Sequence, residues 1–245
     1  MRSELRIDLG ALRRNVAALR RVLEGTELWA VVKANAYGHG AVDCGSAALD
    51  AGATALCTAT VGEALALRGK LPLARLIVLG PYSPVELAQA GEAGLELVSA
   101  GGGVPEGVPV HVKLDTGMGR WGTSELPSPA RDVVGVMTHL ATADTDLDFA
   151  RAQLERFREA TASLTGVTRH AANSAAALRL PEARLDALQP RPAGGARRRL
   201  RPGRHLGGTL AHRRPARRCP AVGRAGHGGG RLSARNGTGQ PPGAT

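Results

Sequence analysis

The sequence predicts an α/β protein built as a parallel (β/α)8 barrel, and three observations lead there. Short, nearly continuous apolar runs alternate with helix-like stretches along most of the chain, the pattern of a parallel sheet buried on both faces. No GxGxxG follows the first apolar run, which argues against an open doubly wound sheet binding a dinucleotide. Several runs also end abruptly on a basic residue, Lys33, Lys113 or His139, at the carboxyl ends of strands, where such barrels keep their chemistry.

The elements follow in order. Leu5–Leu9 alternates like a short strand, and Gly10–Leu23 carries Leu12, Val16, Leu19 and Leu23 at helical spacing. Leu28–Lys33 reads as a buried strand and Ala41–Ala51 as a helix. Ala53–Thr58 is a strand followed by the helix Val61–Arg68. Ala74–Leu79 is a strand closed by Gly80-Pro81. Pro84–Ala93 starts a helix on proline, and Leu95–Ser99 is a strand. Val110–Leu114 and Val133–Thr138 are further strands, Asp146–Ala162 is an amphipathic helix, and Thr168–Ala172 is a strand. The segment between Ser99 and Val110 is too short and Gly-rich for a crossover helix, and Pro127 and Pro129 oppose a long one after Trp121. An eighth strand begins near Leu185–Leu188, where the sequence changes character, so the barrel is expected to be incomplete at strand eight.

Charge divides the chain at the same point. Residues 1–188 hold all 21 acidic residues against 19 basic ones, a net of −2, whereas residues 189–245 hold 13 Arg and no acid. The overall +11 therefore does not make the body a nucleic-acid binder. In the tail 41 of 57 residues are Gly, Arg, Ala or Pro, too little apolar surface to offset chain entropy, so it is expected to be disordered. Its composition and its onset inside an expected strand favour out-of-frame translation, and the alternative is a genuine basic arm binding nucleic acid nonspecifically. Two domains are expected, the barrel at 1–188 and the tail at 189–245. Cys44, Cys57 and Cys219 lack ligand or disulfide spacing, so the first two are read as buried apolar residues of a reduced protein. No leader or membrane span is evident, and the expected location is cytoplasmic.

Four segments carry chemistry. Val31-Val32-Lys33-Ala34-Asn35-Ala36-Tyr37-Gly38-His39-Gly40 puts a lysine at a strand mouth, where burial can make an amine reactive toward a carbonyl. In Lys113-Leu114-Asp115-Thr116-Gly117-Met118-Gly119-Arg120-Trp121-Gly122, two glycines let a loop turn Arg120 to the mouth. Met137-Thr138-His139 ends another strand on a histidine. Asn173-Ser174-Ala175 opens a helix after a strand, so its free N–H groups can bind phosphate, although Asn173 or Ser174 can equally be a simple N-cap. Asp144, Asp146 and Asp148 read as the acidic first turn of a helix, and no metal site is expected.

In this order the four segments closely resemble those of bacterial alanine racemases, and the resemblance covers about residues 4–188. It implies pyridoxal 5'-phosphate as cofactor, Lys33 as the catalytic lysine that holds it, and Tyr37, Ser174 and Asn173 around the phosphate. His139 would pack on the pyridine ring. Lys113 would carry a carbamate that steadies Arg120, and Arg120 would contact both the cofactor and the substrate carboxylate. The implied reaction is interconversion of L- and D-alanine, supplying D-alanine to the cell wall. Lys33 would move the Cα proton on one face and a tyrosine from a C-terminal β domain across a homodimer would act on the other. The sequence departs from the family in lacking that β domain, its tyrosine and the arginine of strand eight, so this chain is expected to be impaired or inactive and its dimer doubtful. The alternatives are a broad-specificity amino-acid racemase, or a noncatalytic cofactor-binding remnant with a basic tail.

Overall fold

The computed structural model describes residues 6–23, 25–101, 103–127 and 131–191. Eight parallel strands close a barrel in sequence order. They are β1 (Glu27–Val31), β2 (Ala55–Thr58), β3 (Leu76–Val78), β4 (Glu96–Ser99), β5 (Val110–Lys113), β6 (Val133–Met137), β7 (Thr168–Ala172) and β8 (Ala187–Leu188). The helices are α1 (Leu9–Val22), α2 (Lys33–Gly38), α3 (Ala41–Asp50), α4 (Val61–Arg68), α5 (Pro84–Glu92), α6 (Leu147–Thr161) and α7 (Ser174–Arg179). Among the described residues no helix bridges β4 to β5 or β5 to β6, as the short Gly- and Pro-rich connections require.

Two expectations are corrected. The barrel is not left open at strand eight, because Ala187 and Leu188 pair with Glu27 and Leu28 of β1 and with His170 and Ala172 of β7. Two residues suffice because both lie fully buried between neighbours that are already fixed. The pairing also runs past 188: Gln189 N–H donates to Ala172 O at 3.0 Å, and Val31 N–H donates to Pro190 O at 3.1 Å. Composition alone hid these backbone partners. The second correction concerns Leu5–Leu9, expected as a strand. Asp8 instead caps α1, its carboxylate accepting from Ala11 N–H at 2.8 Å, and the helix has already begun at Leu9. The expected tail beyond Arg191, including Cys219, lies outside the described residues.

The strands alternate between two cores. Leu56, Leu76 and Leu97 face outward under the helices, where Leu12 and Val16 of α1 join them. Trp29, Val31, Cys57, Ile77, Val98 and Met137 fill the barrel interior. Cys44 and Cys57 are both buried free thiols, and burial pushes the Cys57 thiol up, out of the reactive range.

The lower interior is polar. Arg75, just before β3, grips Glu96 with Nε–Oε1 at 2.6 Å and its second nitrogen at 2.9 Å from Oε2, and reaches Glu27 at 3.0 Å. Glu96 Oε2 lies 2.8 Å from His111 Nε2, His111 Nδ1 lies 3.0 Å from His170 Nε2, and His170 Nδ1 lies 2.8 Å from the Gln189 amide nitrogen. One proton arrangement satisfies all of these. A carboxylate can only accept, so His111 donates from Nε2, His170 donates to His111, and Gln189 donates to His170. The His170 imidazole is then neutral, consistent with the burial that holds it far below the usual histidine range. Gly135 of β6 makes the space, since a Cβ there would overlap His111 Nδ1.

Candidate active site

A cavity of about 700 Å³ opens at the carboxyl ends of the strands. Its lining includes Lys33 after β1, Lys113 at the end of β5 with Arg120 and Trp121 from the following loop, His139 after β6, and Asn173 and Ser174 after β7. Tyr37, Asp144, Gln189 and Arg191 complete its polar wall. All seven residues singled out for the site in the sequence therefore meet in one place, although they span 142 positions from Lys33 to Ser174. Gln189, Arg191, Trp121 and Asp144 were not anticipated. Gln189 and Arg191 fell beyond the compositional break, and that break concealed them.

Each side chain is placed by a local device. After β1 the chain runs through Ala34, Asn35, Ala36 and Tyr37 with φ between 50° and 57°, four consecutive left-handed residues, none of them glycine. Such a turn costs about 1–2 kcal/mol per residue for L-amino acids and persists only when its surroundings impose it. The supports are visible. Asn35 Oδ1 accepts from Ala41 N–H at 2.7 Å, and Ala36 O lies 2.7 Å from His39 Nδ1. Ala34 N–H donates to Glu63 Oε1 at 2.8 Å. Asn35 and His39 are thus structural members of the segment, and the turn leaves Lys33 half-buried at the cavity.

The loop after β5 is wound around Asp115, whose Oδ1 accepts from the N–H groups of Gly117, Met118 and Gly119 at 2.9, 2.8 and 3.2 Å. Its base is closed by Asp115 N–H to Thr123 O and Thr123 N–H to Lys113 O. Arg120 thereby projects to the cavity, and no acidic partner for its guanidinium is present among the described residues. Lys113 Nζ donates to the backbone carbonyls of Arg120 and Trp121, so the buried amine finds acceptors in the loop that carries Arg120. Burial and the nearby Arg120 lower the Lys113 pKa against the opposing pull of Asp115.

His139 is held at about 4, first by burial and then by the positive charges of Arg120, Lys113 and Lys33. Its ring is neutral at ordinary pH and lies in the cavity wall. At the α7 end, Asn173 Oδ1 accepts from Ala175 and Ala176 N–H at 3.0 and 3.1 Å, and its amide donates to Leu140 O. Those two N–H groups are therefore occupied, and Asn173 serves as the helix N-cap. Ser174 Oγ accepts from Arg191 N–H at 2.9 Å, and the Arg191 guanidinium lies 5.4 Å from the centre of the Tyr37 ring. Burial raises the Tyr37 hydroxyl pKa, with Arg191 opposing. Of the three aspartates, Asp146 caps α6 through Phe149 N–H, Asp148 pairs with Arg151, and Asp144 lies in the cavity wall.

Four cationic side chains, Lys33, Lys113, Arg120 and Arg191, thus face one carboxylate, Asp144, across this cavity. That balance favours an anionic ligand, and the free guanidinium of Arg120 suits a carboxylate or phosphate. The fold and this mouth define a (β/α)8-barrel protein with a cationic ligand site at the carboxyl ends of its strands. Comparison with known proteins is more specific. Residues 7–190 match the profile of the alanine racemase N-terminal domain. The alanine racemase of Symbiobacterium thermophilum is 40% identical over 210 residues, covering 75% of this chain and 56% of that protein. That of Streptomyces coelicolor is 42% identical over 229 residues, covering 78% and 58%. The solved structure of alanine racemase from Streptomyces coelicolor A3(2) superposes with a TM-score of 0.68 at 40% identity, covering 77% of this chain and 58% of that one. The chain belongs to the alanine racemase family, and it spans a little over half the length of these relatives.

Proposed function

We propose that this cavity binds pyridoxal 5'-phosphate and supports the racemisation of alanine. The observation carrying this reading is the convergence of Lys33, Arg120, His139, Tyr37 and Ser174 from four strand ends on one cation-rich cavity, in a chain of the alanine racemase family. The donor set fits the group. Lys33 is the amine that would hold the aldehyde, and neutral His139 offers a flat face for the ring. The Tyr37 and Ser174 hydroxyls, with the Arg191 guanidinium over the tyrosine, would hold the phosphate in place of the occupied N–H groups of α7. Pyridoxal phosphate, when bound, acts as an electron sink that acidifies the Cα–H of an attached amino acid. Lys33 Nζ takes or returns that proton. Arg120 binds the substrate carboxylate with its planar fork, and Lys113 fixes the loop that carries it.

Incubating the full chain with pyridoxal phosphate and L-alanine in deuterium oxide tests this. Cofactor-dependent uptake of deuterium at Cα is expected, since Lys33 takes and returns the proton on one face. No exchange above a control lacking protein would overturn the reading. The barrel that carries these residues is closed by the pairing of β8.

A further inference from the structure

We propose that Glu63, on the first turn of α4, is a positioning residue that sets the pose of Lys33. The proposal rests on the reading of Lys33 given above. Thr60 and Glu63 have the spacing of a capping box, and Thr60 Oγ1 does accept from Glu63 N–H at 3.2 Å. The glutamate then departs from the motif. In a true box, as at Ser83 and Glu86 of α5, the carboxylate turns back to the N-cap N–H; Glu86 Oε2 accepts from Ser83 N–H at 2.8 Å. Glu63 points instead to the barrel mouth. Its Oε2 accepts from Ala59 N–H, just past β2, and its Oε1 accepts from Ala34 N–H, the peptide directly after Lys33, both at 2.8 Å.

The two anchored peptides differ in what else holds them. Ala59 is fixed from its other side, because Gly80 lets the end of β3 press against Ala59 O where any Cβ would collide. Ala34 opens the left-handed turn, whose other hydrogen bonds lie within residues 32–41. Apart from the bond of Asn35 to Ala41 at the start of α3, directly downstream, the Ala34–Glu63 bond is, among the described residues, the hydrogen bond that ties this turn to an element distant in sequence. One carboxylate thus staples the strained backbone carrying the lysine to the rigid end of the neighbouring strand. Only an ionised carboxylate can accept from both N–H groups with separate oxygens; a carboxamide would face one of them with its own donor.

The test compares Glu63→Gln with Glu86→Gln in the full chain. Glu86→Gln perturbs a helix start without touching Lys33, so it reports purely structural damage. Two readouts are needed: borohydride-fixed labelling of Lys33 by pyridoxal phosphate, quantified by peptide mapping, and amide hydrogen exchange at Ala34 and Ala59. Glu63→Gln is expected to slow Lys33 labelling and speed Ala34 exchange by about tenfold each, the size of one lost hydrogen bond to a charged group. Labelling of the exposed Lys70 should not change, and Glu86→Gln should leave both readouts at Lys33 and Ala34 unchanged. Equal effects of the two variants, or unaltered exchange and labelling in Glu63→Gln, would overturn the proposal. If Lys33 of the unaltered chain takes no label at all, the cofactor reading fails, and Ala34 exchange alone decides whether Glu63 holds the turn.

Discussion

Replacing Glu96 with Gln removes the more buried of the two carboxylates, Glu27 and Glu96, in the polar chain that crosses the barrel. Burial alone would raise the Glu96 carboxyl; the hydrogen bonds from His111 and Arg75 overcome that and hold it at about 2, against an ordinary value of 4.5. At about 1.4 kcal/mol per pKa unit, this difference is about 3 kcal/mol of stability at neutral pH. The figure agrees with the about 3–5 kcal/mol typical of breaking one side of a buried ion pair, taken at its low end because the Arg75 side chain is 32% exposed. Urea unfolding of the full chain at pH 7.5 should therefore show the variant about 3 kcal/mol less stable, or about 6–12 °C lower in Tm. The pH dependence has a definite sign. The folded carboxyl has the depressed value, so its contribution is complete above about 4.5 and is lost as pH falls towards 2; the two proteins should converge over that window. A deficit below about 1 kcal/mol at pH 7.5, or one that stays constant down to pH 2, would refute the reasoning.

Three further outcomes are expected. Both His139, held at about 4, and His170, lower than the usual range, resist protonation in the folded chain, whereas the unfolded chain takes up those protons from about pH 6.5. Stability should therefore fall as pH drops from 6.5 to 4, and His139→Gln measured by the same unfolding series should lose part of that slope. Gly135→Ala drives a methyl into His111 and should cost about 3 kcal/mol, from overpacking and the lost His111–His170 bond; a Tm within a degree of the parent would contradict the packing described. The 13 arginines of residues 189–245 should give salt-sensitive, sequence-indifferent retention on nucleic acid. A version ending at Arg191 that is retained as strongly would show that the charge argument is wrong.

The barrel was legible because its strands are short apolar runs and its helices keep their periodicity. The boundaries of α4 and β7 match the sequence reading residue for residue. Strand eight was misread because its tertiary partners are not displayed by composition, and Leu5–Leu9 because of a local cap. Ala187 and Leu188 carry little strand signal by themselves, and β1 and β7 impose their pairing. Asp8 became a cap rather than a strand residue because α1 starts one position earlier than its apolar spacing suggests. In the site, the residues at the ends of β1, β5, β6 and β7 were singled out, and Gln189 after β8 was not. For Asn173 the sequence left the ligand and N-cap roles both open, and its Oδ1 does cap α7 while its amide donates to Leu140 O. Glu63 was visible as Thr60-Val61-Gly62-Glu63 before an apolar helix, but the direction its carboxylate takes depends on where β1 ends, which only the fold reveals. Trp29, His111, His170 and Glu96 lie far apart in sequence, and closure of the barrel makes them neighbours.

The central claim is that Lys33 is the reactive amine of a pyridoxal-phosphate site. Treating the full chain with pyridoxal phosphate, reducing with borohydride, digesting it and mapping the labelled peptide tests this directly. Only three lysines compete. Lys113 is committed to two backbone carbonyls, and Lys70 is an exposed turn residue away from the cavity. A label confined to the peptide containing Lys33, and lost in Lys33→Ala, is the result predicted here. A label carried chiefly by Lys113 or Lys70, or one spread evenly over all three, would contradict it.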